Sequence, residues 1–490
     1  MKLFKSLILL AIMTSLLLLG LDVARTLWLE KEEEPSVNYT RLTQLPARTI
    51  ESPKVNGYLV LLGFAVSSSL DPVQIGKDMW VESESAAGHR FFDYGQRART
   101  ELRVEDDLLS ELQPGQASQA ATPAHLSTTF LPGLLRQHAV LLDRYRFWLS
   151  LPFQDWGYGL PGTPRFVEIV AAHRLYLTEG FAQGIEAGVD RTVKDLSAWR
   201  QVLAEAKTLQ LKLLALTVVE EDLALLNQAL RRRDFDQDRL PHLALVLRPL
   251  TQSERSLRWP IQHEFLLGVR RADHPHVDDV DGKREESEVN RRWVAALSGV
   301  SEAAIRSAER FLPAGALVRS KLQKQRALNI CAEYVEATIQ ATDTTVGPFP
   351  RLQDYARASH RKLVDYLLNP VDNVFASSPE PDWGVFVTRI QETDARLRLA
   401  GLHLRLHRAP TEGSVSARIA QAGLSYYDPF TGLPMLWNQE TGRIYSAGRD
   451  KRDDGGDDER DLTLTITLQT TTAASAQPAP PAKKRPARRS

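Results

Sequence analysis

The chain contains a single cysteine, Cys331, among its 490 residues, so it can form neither an intramolecular disulfide nor a cysteine-based zinc site. It has no net charge, because 61 Lys and Arg balance 61 Asp and Glu. A dedicated nucleic-acid binder carries a basic excess, so this balance argues against one. There is no Walker loop, no G-x-S-x-G elbow and no H-E-x-x-H helix. His263-Glu264 is a lone pair without the second histidine that a metalloprotease helix needs. Apolar residues make up 43% and charged residues 25%, which are globular proportions and exclude wholesale disorder. At roughly 100–200 residues per domain the length allows two to four domains.

One apolar run approaches the length of a bilayer span, from Leu7 to Leu21, behind Lys2 and Lys5. A cleaved signal peptide and an uncleaved anchor compete for it. Cleavage needs small residues in an A-x-A-like pattern, but Asp22 or Leu18 would occupy the outer small position. The run is a little short of the ~20 residues a span requires, and Leu3 and Phe4 extend it because Lys5 can snorkel. The anchor is the preferred reading. The positive-inside rule then keeps the lysines cytoplasmic and the body outside. This predicts a single-pass protein of a bacterial inner membrane with its body in the periplasm.

Beyond the anchor, Tyr58–Val66 is a buried strand or a short core helix, and periodicity alone does not decide. The centre reads as helical. Phe130–Leu151 is apolar and helical, and Pro164 opens a second helix near its first position. Gly180, Gly184 and Gly188 are spaced by four, which suggests close helix packing or a helix end. Asp190 is placed as the cap of the next helix. Leu196, Trp199, Leu203, Ala206, Leu209, Leu213 and Leu216 form one continuous apolar face, with Arg200 and Gln201 on the exposed side. Further helices are expected at Glu302–Phe311, Val318–Thr342, Gln353–Leu368 and Phe386–His407. Val269–Arg292 is highly charged and contains proline and glycine, so it reads as an exposed loop.

The C-terminal part changes period. Pro434–Asn438 and Arg443–Ala447 flank a glycine turn, and Leu462, Leu464, Ile466 and Leu468 alternate with threonines, the clearest strand pattern in the chain. After Thr470 only a low-complexity basic tail remains. The predicted fold is mainly α: an extracytoplasmic array of helix hairpins with one N-terminal transmembrane helix and a small C-terminal β cap. The segments are an anchor at 1–24, a juxtamembrane linker at 25–57 and a mixed apolar segment and loop at 58–128. A helical domain at 129–420, a β cap with an acidic loop at 421–469 and a disordered basic tail at 470–490 complete the chain.

Two histidine-containing features invite chemistry. His274, His276, Asp278, Asp279 and Asp281 could bind a divalent metal, although so charged a segment offers little rigidity. His173 lies on an apolar stripe and reads as a hydrogen-bonded core histidine, and Cys331 as a buried structural thiol. The acidic loop Arg449–Asp461 carries seven acids against four bases. Such a density needs water or a cation to screen it, and calcium accepts six to eight oxygens in flexible geometry. Asp450, Asp454, Asp458 and Asp461 are the candidate ligands, at spacings that match several EF-hand positions, but Arg452 stands where another ligand is expected.

The order Tyr426-Tyr427-Asp428-Pro429-Phe430-Thr431-Gly432-Leu433-Pro434, then Arg443-Ile444-Tyr445-Ser446-Ala447-Gly448-Arg449-Asp450, then the acidic loop, resembles the C-terminal segment of the major pseudopilins of type II secretion. The resemblance implies a structural calcium site in the loop, with Asp450 and Asp461 at the positions of that family's ligating aspartates. It covers about the last tenth of the ordered chain, and the N-terminus lacks the prepilin cleavage signature. The helical body is similar to membrane-anchored bacterial proteins of unassigned function. The first functional expectation is therefore a non-catalytic scaffold or protein-partner binder at the envelope, near a secretion or pilus system. A metal-dependent hydrolase using the 274–281 cluster is the alternative.

Overall fold

The computed structural model describes residues 13–20, 23, 33–84, 102, 104, 112, 131–160, 164–232, 240–273, 281–310, 324–344, 349–352, 354–355, 381–408 and 413–466. Most of the expected anchor, the 113–128 loop, residues 356–368 and the basic tail lie outside them. Residues 13–20 are helical, with Leu16–Leu19 exposed. Among the described residues no helix is long and apolar enough to cross a membrane.

The protein is mainly helical, with one small antiparallel sheet near its C-terminus. The helices that matter here are α1 Gly57–Leu62, α2 Ala139–Trp148, α3 Phe166–Gln183, α4 Ile185–Glu205, α5 Leu209–Leu230, α6 Arg258–Asp273, α7 Asp281–Ser298, α8 Lys324–Thr344 and α9 Trp383–Arg408. Helix α1 settles Tyr58–Val66 as a core helix: Asn56 accepts from the Tyr58 amide as its N-cap, and Tyr58–Leu61 are buried.

Helices α3, α4 and α5 pack successively and form the centre of the main core. Gly184 separates α3 from α4 at φ 139°, a conformation in which an L side chain is strained. At Gly188 a Cβ would stand 2.3 Å from the Phe181 ring. The glycine spacing thus serves both a helix end and a close crossing. It also corrects the cap assignment, since Asp190 lies inside α4 rather than before it.

The expected continuous face from Leu196 to Leu216 is divided between two helices. Helix α4 ends at Glu205, and Thr208 opens α5 by accepting a bond from the Leu211 amide. Residues on both sides of the break are buried, so the apolar pattern ran unbroken through a reversal of the chain. Helix α5 is buried on nearly every side, as the central rod of a helical domain should be. Phe130–Leu151 is likewise divided, into Leu131–Gln137 and α2.

Two further expectations are corrected. Val269–Arg292 is not a loop: α6 runs to Asp273 and α7 begins at Asp281, leaving 274–280 outside the described residues. Asn290 and Arg291 are buried, because Asn290 donates to Pro164 O and Arg291 pairs with Glu309. Arg200 is also buried rather than exposed; its guanidinium forms a two-point pair with Glu254 at 2.8 and 2.9 Å. A guanidinium can occupy a helix's inner face when a carboxylate and backbone carbonyls satisfy its donors.

Strands β1 Leu436–Asn438, β2 Arg443–Ser446 and β3 Leu462–Thr465 form a sheet in sequence order, with Leu436 opposite Tyr445 and Ile444 opposite Leu464. Ile444, Leu464, Ile466, Met435, Tyr426 and Phe430 build a second core against Ala395, Leu399, Leu402 and Leu406 of α9. The Asp428 carboxylate anchors this cap. It accepts from the Phe430 amide, the Ser446 hydroxyl and the Ala447 amide at 2.9–3.1 Å. The aspartate of the D-P-x-x-G turn and the serine of the Y-S-x-G segment are therefore one folding unit.

Candidate functional site

Polar chemistry gathers in several places among the described residues, and three of them bear on function. The first is the acidic loop. Asp450 accepts from the Arg452 amide within its own turn, and Asp458 pairs with Arg443 at 2.8 Å and accepts from the Thr463 hydroxyl. Asp454 pairs with Arg460 at 3.2 Å, while Asp461 accepts from the Gly456 amide at 2.8 Å. One oxygen on each of the latter two, Asp454 Oδ2 and Asp461 Oδ1, is buried without a hydrogen-bond partner. Burial and the neighbouring Asp454 charge raise the Asp461 pKa. Two of the four predicted aspartates thus offer unused acceptors, and the other two are engaged by the chain itself.

The second place is a cavity of about 300 Å³ lined by Arg48, Glu84, Asp155, Trp156, Tyr158, Lys207 and Arg270, among others. The Arg48 guanidinium lies 4.5 Å over Trp80 and 5.2 Å over Trp156 and pairs with Glu84. The Lys207 ammonium sits 4.0 Å over the Trp259 ring and 3.5 Å from Glu205, and Arg270 donates to Gly159 O. Asp155 is buried and accepts from the Gly157 and Lys207 amides, both at 2.7 Å. Burial outweighs those bonds and raises its pKa to about 6. Nearby, His263 Nδ1 accepts from the Gly159 amide, and burial, with Arg271 and Arg270, lowers its pKa to about 3. The lone His-Glu pair is therefore a neutral imidazole beside a buried carboxyl, with 3.9 Å between them.

The third place is internal except for Glu221, which keeps a small exposure. His173 of α3 lies between Asp195 of α4 and Glu221 of α5: Nδ1 is 2.9 Å from Asp195 Oδ2, and Nε2 is 3.4 Å from Glu221 Oε2. Tyr145 of α2 donates to Asp195 Oδ1 at 2.6 Å and accepts from Trp199 Nε1 at 2.8 Å. Arg174 holds Glu221 by a two-point pair. Asp222 is fully buried, and no donor group reaches either carboxylate oxygen; it lies against the Asp195 carboxylate. Burial alone would lower the His173 pKa, but the neighbouring carboxylates raise it to about 10. Burial and the Asp195 charge raise Asp222. His173 is the hydrogen-bonded core histidine the sequence suggests, but its three acidic neighbours come from two other helices, and no linear motif signals them.

Of the 274–281 cluster, only Asp281 falls within the described residues, at the start of α7. Cys331 is buried in α8, and burial pushes its thiol up, away from a nucleophile's range. Comparison with protein-family models, with curated proteins and with solved structures finds no match to this chain.

Proposed function

We propose that the chain is a membrane-anchored envelope protein with a non-catalytic partner-binding role, and that the cavity beside Arg48 receives an acidic side chain or terminal carboxylate of a partner polypeptide. The observation that carries this reading is the lining of that cavity. Three cations, Arg48, Lys207 and Arg270, stand around apolar walls from Trp156, Tyr158 and Leu160, with Glu84 and Asp155 as the lining acids. A carboxylate entering between them meets charged donors, while the aromatic walls bury the adjoining apolar atoms. The His173, Asp195 and Asp222 side chains are closed to solvent, which suits support rather than turnover. The Leu7–Leu21 run supports a single inner-membrane span with the body in the periplasm. The C-terminal motif suggests a partner from a secretion or pilus system.

The test is a photo-reactive residue placed at Ala47, on the cavity lip, and irradiated in intact membranes. The reading expects a discrete polypeptide adduct that R270E removes while the variant still melts cooperatively. An adduct indifferent to that charge reversal, or none, refutes it.

We also propose that the acidic loop holds a structural calcium ion through Asp454 and Asp461, which pins β2 to β3. Calorimetric titration should show binding that Asp461→Ala abolishes. Identical melting in calcium and in chelator would refute the site.

A further inference from the structure

We propose that the core formed by α2, α3, α4 and α5 is a binding site for one divalent transition-metal ion, of the zinc or manganese class, held by His173, Asp195 and Asp222. This inference is independent of the cavity beside Arg48 and of the acidic loop.

His173, Asp195 and Asp222 each offer a ligand atom, and these atoms all lie within 4.8 Å of one another. A first-row ion bound at about 2.0–2.2 Å draws its donors to such separations with small side-chain adjustments. Imidazole nitrogen and carboxylate oxygen form a donor set suited to this class of ion.

The Asp222 side chain is 0% exposed, and neither oxygen accepts from a donor group; its polar neighbour is the Asp195 carboxylate, with which it can bond only by sharing a proton. A carboxylate buried without a donor or counter-charge is strongly unfavourable. Here it is aimed at a neighbouring carboxylate and an imidazole, an arrangement in which a cation removes the repulsion.

The surrounding groups already have the form of an outer shell. Nδ1 of His173 faces Asp195, and Nε2 faces Glu221, which Arg174 fixes in place. A metal-ligating histidine commonly turns its other nitrogen toward such a carboxylate. Tyr145 and Trp199 orient the remaining ligand, since the phenol donates to Asp195 and is itself held by the indole.

The charges are consistent with one ion. With a neutral imidazole, the three carboxylates of Asp195, Glu221 and Asp222 stand against the single guanidinium of Arg174, a shortfall of two positive charges. One divalent ion closes it. The competing arrangement closes it with two protons, one on His173 and one shared between Asp222 and Asp195.

The experiment uses the full chain in detergent, unfolded in chelator and refolded with zinc, with manganese or with no metal. Metal content is measured after dialysis, and the melting temperature is recorded. The expected result is one tightly held ion per chain and a higher melting temperature than the metal-free form. Asp222→Asn should fold and hold no ion at this site. Asp461→Ala, in the acidic loop, should retain the ion fully. The same chain refolded with manganese should give a bound-ion resonance signal that Asp222→Asn abolishes. The proposal is overturned if the refolded chain takes up no ion, or if uptake is unchanged in Asp222→Asn. It is also overturned if Asp222→Asn raises the melting temperature equally with and without metal, which would identify the proton-closed cluster.

Discussion

Lys212 sits in the first turn of α5, 1% exposed, and among the described residues no carboxylate forms an ion pair with it, although Glu254 and Asp343 act on it from farther off. Its ammonium donates instead to Leu203 O at 2.7 Å and Ser253 O at 3.3 Å. Leu203 lies in the last turn of α4, where carbonyls have no helical partner, so the lysine serves as a C-terminal cap delivered from the next helix. Burial lowers its pKa from 10.5 to about 7. A base whose native pKa is depressed destabilises the fold while it is protonated. Below about pH 7 both native and unfolded states carry the proton, and the penalty is fully present. Between about 7 and 10.5 only the unfolded state binds it, so stability rises with pH, and above 10.5 the penalty is gone.

At about 1.4 kcal/mol per pKa unit the full swing is about 4–5 kcal/mol. Lys212→Met removes the titration and keeps most of the apolar stem, but it deprives two carbonyls of a donor at a cost of about 1–3 kcal/mol. The variant should therefore be more stable than the parent near pH 6 and less stable near pH 10, by amounts whose difference approaches that swing. In the metal-free chain His173, with its pKa raised to about 10, titrates in the same window with the opposite sign. Subtracting the variant's curve from the parent's cancels its contribution. Denaturant unfolding followed by tryptophan fluorescence at a series of pH values supplies both curves. A difference that stays flat with pH would show that the Lys212 ammonium keeps an ordinary pKa, and the buried-cap argument would fail.

Two further outcomes are expected. Trp199→Ala should cost about 3–5 kcal/mol, since Trp199 is 0% exposed and its indole also holds the Tyr145 hydroxyl. Gln201→Ala, on the exposed side of the same helix, should stay within about 0.5 kcal/mol, and equal sensitivity at the two positions would show that the helical phase is wrong. Glu254→Gln should cost about 3–5 kcal/mol by leaving the Arg200 guanidinium buried without its counter-charge. Arg200 and Arg248 overcome burial and lower the Glu254 pKa to about 2. The stabilisation is thus present above its unfolded value of about 4.5 and lost as pH falls toward 2. Acid titration of stability should lose that component in the variant, and an unchanged acid limb would contradict it.

The parts of the fold that follow from side-chain periodicity were legible in the sequence. The buried face of Trp199 and Leu203, the helix over Phe386–His407 and the three short strands near the C-terminus all stand where the pattern puts them. Periodicity gives no information about where a chain reverses when both arms are buried, which is why α4 and α5 merged into one face. It also misassigns a charged side chain whose partner is remote, as with Arg200 and Glu254, 54 residues apart. The charged stretch after Val269 looked like a loop because α7 opens with acids and bases and turns apolar only toward Trp293. For the candidate sites, the acidic loop was legible as a charge run, but the separate engagements of Asp450 and Asp458 were not. The His173 cluster was invisible because its members are drawn from three helices.

Helix α9 has apolar contacts on two sides. Leu397, Ala400 and Leu404 belong to the main core, while Ala395, Leu399, Leu402 and Leu406 belong to the core of the cap. A wall shared by two rooms cannot be removed with either one. Deleting the cap would leave a stripe of leucines facing water along half of α9, and the expected result is aggregation rather than a trimmed but intact body. The two cores should then unfold as a single thermodynamic unit, and any ligand that steadies the cap, a loop cation included, would raise the stability of helices far from it. The C-terminal sheet is in this sense less an appendage than the last course of masonry that lets α9 be apolar on both faces.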